Sequence, residues 1–232
     1  EDGIRDRRMS LGSEMCIRDS FRDVMIYKQP SQHIQDLKID TNIDLDTNKS
    51  VLTCTCKMSS NESHILQAKL YDPQGNIVWN GNMQDTFEIP VENTSLWSSE
   101  YPNLYQLEIV LYDANNEIIE TIQEQVGFRK FTLEYGIMKL NGKRIVFHGI
   151  NRHEWNAKTG RAITYEQMEE DIHMLKALNI NAVRTSHYPN NSYWYKLCDQ
   201  YGIYVIDEMN LETHGANAVS YTHLTLPTIL LV

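Results

Sequence analysis

Residues 144–206 read RIVFHGINRHEWNAKTGRAITYEQMEEDIHMLKALNINAVRTSHYPNNSYWYKLCDQYGIYVI, and this stretch decides the fold. Residues 144–148 read as a buried strand. Residues 164–178 read as a helix, because Thr164 and Gln167 have capping-box spacing and Met168, Ile172, Leu175 and Leu178 follow a helical period. Residues 181–185 give a second strand. Residues 191–201 give a second helix, with Gly202 where a C-cap belongs. Residues 203–206 give a third strand. A β-α-β-α-β order whose strands are buried on both faces is how a parallel α/β sheet begins. Three strands cannot close an eight-stranded barrel, which takes about 250 residues.

Upstream the pattern is different. From residue 32 to residue 129 there are short strand-like runs and no helical period. VLTCTCKM at residues 51–58 alternates and is rich in strand formers. Residues 67–71 and 76–79 flank Asp72-Pro73-Gln74-Gly75, and residues 105–112 and 117–125 flank Asp113-Ala114-Asn115-Asn116. Both spacers carry turn chemistry. Strands at this spacing predict an antiparallel sandwich of about 100 residues, immunoglobulin-like in architecture only, because no Cys…Trp…Cys pattern accompanies it.

Bulk properties narrow the function. The formal net charge of −10 argues against nucleic acid as a partner, since neutralising phosphates needs a basic footprint. No apolar run approaches the roughly 20 residues that span a bilayer, so no membrane partner is expected. Cys16, Cys54, Cys56 and Cys198 include no CxxC pair, and Cys54 and Cys56 point to one face of a strand. All four are read as free thiols, which favours a cytoplasmic location. The two ends, EDGIRDRRMSLGSEMCIRDS at residues 1–20 and the stretch ending YTHLTLPTILLV, lack the periodicity of their neighbours. Both resemble translated adapter sequence and are set aside from fold reasoning.

Chemistry concentrates at the ends of the three α/β strands. The first runs into Asn151-Arg152-His153-Glu154, the second into Ser186-His187-Tyr188-Pro189, and the third into Asp207-Glu208-Met209-Asn210 and then Glu212-Thr213-His214-Gly215. In a parallel barrel the C-terminal strand ends converge on the active site. One histidine there is ordinarily a structural residue, but three polar clusters that each carry one point to a site. Glu212 and His214 face one way in an extended segment and suit either a divalent cation or a plain Glu–His hydrogen bond. Arg184 interrupts an apolar strand. Burial would require a carboxylate partner, and a structural ion pair is its simplest reading.

These motifs, in this order, resemble the β-galactosidases of glycoside hydrolase family two. Gly149-Ile-Asn-Arg-His-Glu154, Arg184-Thr-Ser-His-Tyr-Pro189, Asp207-Glu208 and Glu212-Thr-His-Gly215 carry the resemblance in the α/β part. Val126-Gly-Phe-Arg129 with Leu140-Asn-Gly-Lys143 resembles the entry to the family's barrel. Asn93, Leu96-Trp97 and Pro102-Asn-Leu-Tyr105 resemble its sandwich, and Phe21-Arg-Asp-Val24 resembles the last strand of its sugar-binding jelly roll. The resemblance implies a multidomain chain: a non-native leader at 1–20, the end of a jelly roll at 21–30, an immunoglobulin-like β-sandwich at 31–131, the first three strands of a TIM (β/α)8 barrel at 132–217, and a non-native tail at 218–232.

By the same resemblance, His153 and His187 contact the sugar and stabilise the transition state, Asn151 joins them in binding substrate, and Arg184 supports the nucleophilic carboxylate. Glu212 and His214 hold Mg2+, with Na+ a further cation of the complete protein. Retaining hydrolysis needs two carboxylates about 5–5.5 Å apart. In the family both lie later in the barrel, so neither is assigned here and the chain by itself is expected to be inactive. The expected parent hydrolyses terminal β-D-galactosides, lactose-like sugars among them, and is a homo-oligomer. The alternatives are a β-glucuronidase of the same family and a non-catalytic carbohydrate-binding sandwich. The NRHE and ETHG segments disfavour the first, and the α/β segment disfavours the second.

Overall fold

A computed structural model describes residues 22, 26–60 and 63–209. The chain divides into two compact units. One is Tyr27–Val146; the other is built from Phe147 onward together with the residues up to Ile26.

The first unit is the sandwich. One sheet orders its strands β1-β2-β5, from Ile34–Asp44, Lys49–Met58 and Thr86–Glu92. The other orders them β4-β3-β6-β7, from Ile77–Met83, Ile65–Tyr71, Tyr105–Tyr112 and Ile118–Val126. All pairings within the two sheets are antiparallel. Period-two alternation sends one side of each strand inward. Leu52, Cys54 and Cys56 of β2 and Leu107, Ile109 and Leu111 of β6 are buried in one shared core. The thiols of Cys54, Cys56 and Cys198 are free and buried, and Cys16 lies outside the described residues.

The turn sequences close the hairpins as their chemistry dictates. Asp72 Oδ1 accepts the amides of Gln74 and Asn76 at 2.9 and 2.8 Å, and Gly75 supplies a φ of +85°. Asp113 Oδ1 repeats the arrangement with the amides of Asn115 and Glu117, both at 2.8 Å. The motif residues of this unit converge on Trp97, which is fully buried. Its amide donates to the Phe128 carbonyl at 2.8 Å, and its own carbonyl accepts from the Asn141 side chain at 3.0 Å. A small antiparallel sheet follows, with Phe131–Glu134 (β8), Ile137–Leu140 (β9) and Lys143–Arg144 (β10) in the order β10-β9-β8.

The second unit holds a three-stranded sheet of Gly149–Arg152 (β11), Ala182–Thr185 (β12) and Tyr204–Ile206 (β13), parallel throughout and in that order. Helix α1, Tyr165–Ala177, joins β11 to β12, and helix α2, Ser192–Tyr201, joins β12 to β13. The α1 cap is the expected one: Thr164 Oγ1 accepts the Gln167 amide and the Gln167 side chain accepts the Thr164 amide. Gly202 ends α2 in the left-handed region at φ +71°. Met168, Ile172 and Leu175 pack with Val183, Trp194 and Val205 into this unit's core.

Three expectations are corrected here. The first strand is Gly149–Arg152, not residues 144–148, because pairing with β12 begins at Gly149 opposite Ala182. A Cβ on Gly149 would stand 3.1 Å from that of Ala182, so this close approach favours glycine. Burial on both faces holds for Ala182 and Val183 of the central strand, whereas Gly149, Ile150 and Asn151 are exposed. Leu178 lies at the C-cap and is 64% exposed, so the buried stripe of α1 stops at Leu175.

Candidate active site

The site assembles where β11, β12 and β13 end. Burial alternates along residues 151–154, so Asn151 and His153 are exposed while Arg152 and Glu154 are buried. The NRHE cluster therefore splits. Asn151 and His153 remain accessible, and Arg152 and Glu154 turn into the protein.

His187 follows β12 and meets His153. Their ring centroids are 5.4 Å apart in an edge-to-face arrangement, and Tyr188 lies 6.1 Å from His153. Beyond β13, Glu208 joins this pair: its Oε2 is 3.0 Å from Nδ1 of His187, and its Oε1 pairs with the Arg184 guanidinium. Arg184 thus has the carboxylate partner that the sequence left unidentified. Its side chain is 42% exposed, so it is not the buried arginine expected. The Glu208 backbone is tied down as well, since its amide donates to Thr185 Oγ1 at 3.1 Å.

The preceding residue, Asp207, faces the other way. Its Oδ1 accepts from Thr185 Oγ1 at 2.6 Å and from the Tyr195 hydroxyl at 2.7 Å. Burial first, and then this bond to Asp207, hold the Tyr195 phenol well above its ordinary value. The same hydroxyl accepts the Asn190 amide at 2.8 Å, which links β13 to the loop after His187.

Arg152 and Glu154, the two buried members of the cluster, are each held by polar partners. Arg152 donates from Nε and Nη2 to Asp171 at 3.0 and 2.9 Å and from Nη1 to the Asn190 side chain at 2.7 Å. Its guanidinium stacks 3.7 Å from the Trp194 ring centroid. Glu154 accepts from Arg22 Nη2 at 2.5 Å and from the Asn191 amide at 2.7 Å. Arg161 covers the Tyr188 ring at 4.5 Å.

The structure therefore brings together His153, His187 and Arg184, with Asn151 on the exposed side of β11. Glu212 and His214 lie outside the described residues. Among the described residues no group of three or more His, Cys, Asp or Glu side chains forms a metal-binding cluster, and no helix is long and apolar enough to cross a membrane. The joining role of Glu208 was not anticipated. Its signal was an acidic residue at a strand end two strand positions from an arginine in the neighbouring strand.

A β-sandwich is followed in the chain by parallel strands whose C-terminal ends gather imidazoles, an arginine and a carboxylate, the end at which parallel α/β barrels place their sites. The chain belongs to glycosyl hydrolases family 2: residues 32–129 match that family, and residues 131–226 match its TIM barrel domain. Similar proteins include the β-galactosidase of Halalkalibacterium halodurans, 49% identical over 203 residues, which are 84% of this chain and 20% of that protein. The β-galactosidase of Streptococcus thermophilus is 46% identical over 202 residues, 84% of this chain and 20% of that protein. The chain spans about a fifth of the length of these curated relatives. Among solved structures, the β-glucuronidase from Ruminococcus gnavus in complex with D-glucuronic acid aligns with a TM-score of 0.71 at 26% identity, over 78% of this chain and 30% of that one. Bacteroides uniformis β-glucuronidase 3 aligns with a TM-score of 0.72 at 26% identity, over 78% of this chain and 23% of that one.

Proposed function

We propose that this chain is part of a retaining β-galactosidase that releases terminal β-D-galactose from lactose-like sugars. The observation that carries the proposal is the His153–His187 pair, 5.4 Å between centroids at the ends of adjacent parallel strands, with Glu208 fixing His187. Parallel barrels perform their chemistry at that end. Two accessible imidazoles on one side suit a polyhydroxylated, uncharged ligand. Their hydrogen bonds to sugar hydroxyls would strengthen as the ring approaches an oxocarbenium-like transition state. Asn151 adds an amide on the same side of the strand. Arg184 would support the nucleophilic carboxylate, which, like the acid/base carboxylate, is assigned to no residue of this chain.

The competing β-glucuronidase reading draws on the structural neighbours. A glucuronide carries a carboxylate, and recognising it calls for a cation able to receive it. Here Arg184 is paired with Glu208 and Arg152 with Asp171. That favours a neutral sugar, as does the 43–49% identity to β-galactosidases.

Glu212 and His214 would hold a magnesium ion in the complete protein, with sodium as a second cation. The ion would supply fixed positive charge beside the acid/base carboxylate. A homo-oligomer and a cytoplasmic location belong to the same reading, the latter supported by three buried free thiols.

The test is hydrolysis of p-nitrophenyl β-galactoside by the full-length protein and its variants. His153→Ala and His187→Ala should each lower kcat/KM by roughly 10²–10³, equivalent to about 2–4 kcal/mol for a well-placed donor. Losses fully explained by a fallen melting temperature would contradict the assigned roles.

A further inference from the structure

We infer that Glu154 is a positioning residue for the histidine pair: its buried carboxylate joins three chain segments and thereby sets where His153 and His187 face each other. The inference rests on the glycosidase reading, but the geometry behind it is independent of the substrate.

Glu154 directly follows His153, and its side chain is only 2% exposed. An ionised carboxylate in such a place needs partners, and each of its oxygens has one. Oε2 accepts from Arg22, which lies upstream of the sandwich in sequence and whose same nitrogen is 3.5 Å from the Pro189 carbonyl. Oε1 accepts from the amide of Asn191, the N-cap of α2, at 2.7 Å, and stands 3.8 Å from Arg152 Nη1. Pro189 lies two residues beyond His187 and Asn191 four beyond it. One carboxylate therefore fastens the His153 loop to the His187 loop and both to the Arg22 segment. The Tyr188 hydroxyl, 3.5 Å from the Glu154 carbonyl, adds a weaker tie between the same loops.

The local burial pattern carries this division of labour. Just past the end of β11 His153 is exposed and Glu154 buried, so ligand contact and anchoring fall to consecutive residues. An anchor one residue from a site side chain acts with little slack. Misplacement of a reacting or binding group by about 1 Å can lower a rate roughly 10²-fold.

The experiment is a double-mutant cycle in the full-length protein with Glu154→Gln, Arg22→Gln and the double variant. Glu154→Gln keeps an oxygen for the Asn191 amide but turns an amide toward Arg22. Three readouts are taken: kcat and KM on p-nitrophenyl β-galactoside, the fraction folded, and the NMR cross-relaxation between the His153 and His187 ring protons. We expect kcat per folded molecule to fall roughly 10–100-fold in each single variant, KM to change less, the ring cross-relaxation to weaken, and the double variant to be no worse than the poorer single one. Unchanged ring cross-relaxation and unchanged kcat per folded molecule in Glu154→Gln would overturn the inference. If Glu154→Gln fails to fold, Arg22→Gln decides alone, because it leaves the Asn191 bond in place. A wild-type protein that hydrolyses no β-glycoside would defeat the glycosidase reading, and the ring cross-relaxation would still decide the positioning role.

Discussion

Glu208 is shared between Arg184 and His187, one oxygen taking the guanidinium and the other lying 3.0 Å from Nδ1 of the imidazole. A residue at the end of β13 thus orients side chains that belong to β12 and to the loop after it. An ionised carboxylate can only accept, so Nδ1 of His187 is the ring nitrogen turned to Glu208 and Nε2 is the one left free of that contact.

Glu208→Gln should therefore lower kcat/KM on a β-galactoside by roughly 10–100-fold, the equivalent of a lost hydrogen bond to a charged group at about 1.5–3 kcal/mol. The Arg184 side chain is well exposed, so breaking that pair should cost under about 1 kcal/mol of stability. Steady-state kinetics with parallel urea unfolding measures both. A stability loss that accounts for all of the kinetic loss would contradict the orienting role.

The sandwich should depend on Trp97 more than on any exposed apolar residue. Trp97→Ala removes a fully buried ring beneath Gly127 and should destabilise this unit by about 3–5 kcal/mol. Ile118 is 64% exposed, and Ile118→Ala should cost no more than about 0.5 kcal/mol. Urea midpoints of the two variants check the contrast; equal midpoints would contradict this packing.

Alkaline pH should weaken the sandwich through its thiols. Burial pushes Cys54 up to about 12 and Cys56 up to about 11 from an ordinary 9.0. In the unfolded chain these thiols ionise near 9.0, so the folded state holds protons that the unfolded state releases. Stability is intact below pH 9.0 and declines as pH rises from there toward 11–12. The melting temperature should fall across that window, and it should fall less steeply in Cys54→Ala. Identical slopes would show that other groups carry the alkaline loss.

The helices were legible because local chemistry fixes them: Thr164 with Gln167, and Gly202, each act within a few residues. The hairpin turns at Asp72 and Asp113 were legible for the same reason. β5 carried a weaker signal because Pro90 interrupts it, which an edge strand tolerates. The strand at residues 144–148 was misplaced because apolar content alone does not say where pairing starts; the close approach of Gly149 to Ala182 does. At the site, the histidines and Arg184 stood out by residue type. The opposed roles of His153 and Glu154 were not legible, because residues 151–154 are polar throughout and only the structure shows which of them are buried. The partnership of Arg22 with Glu154 spans 132 positions and has no local signature.

The central claim, that the complete protein is a galactosidase and not a glucuronidase, is tested most directly by its specificity ratio. Full-length protein would be assayed with p-nitrophenyl β-galactoside and p-nitrophenyl β-glucuronide under identical conditions. With Arg184 and Arg152, among the described residues, already matched to carboxylates and with 43–49% identity to β-galactosidases, kcat/KM for the galactoside should exceed that for the glucuronide by at least about 10²-fold. A ratio reversed in favour of the glucuronide would contradict the account.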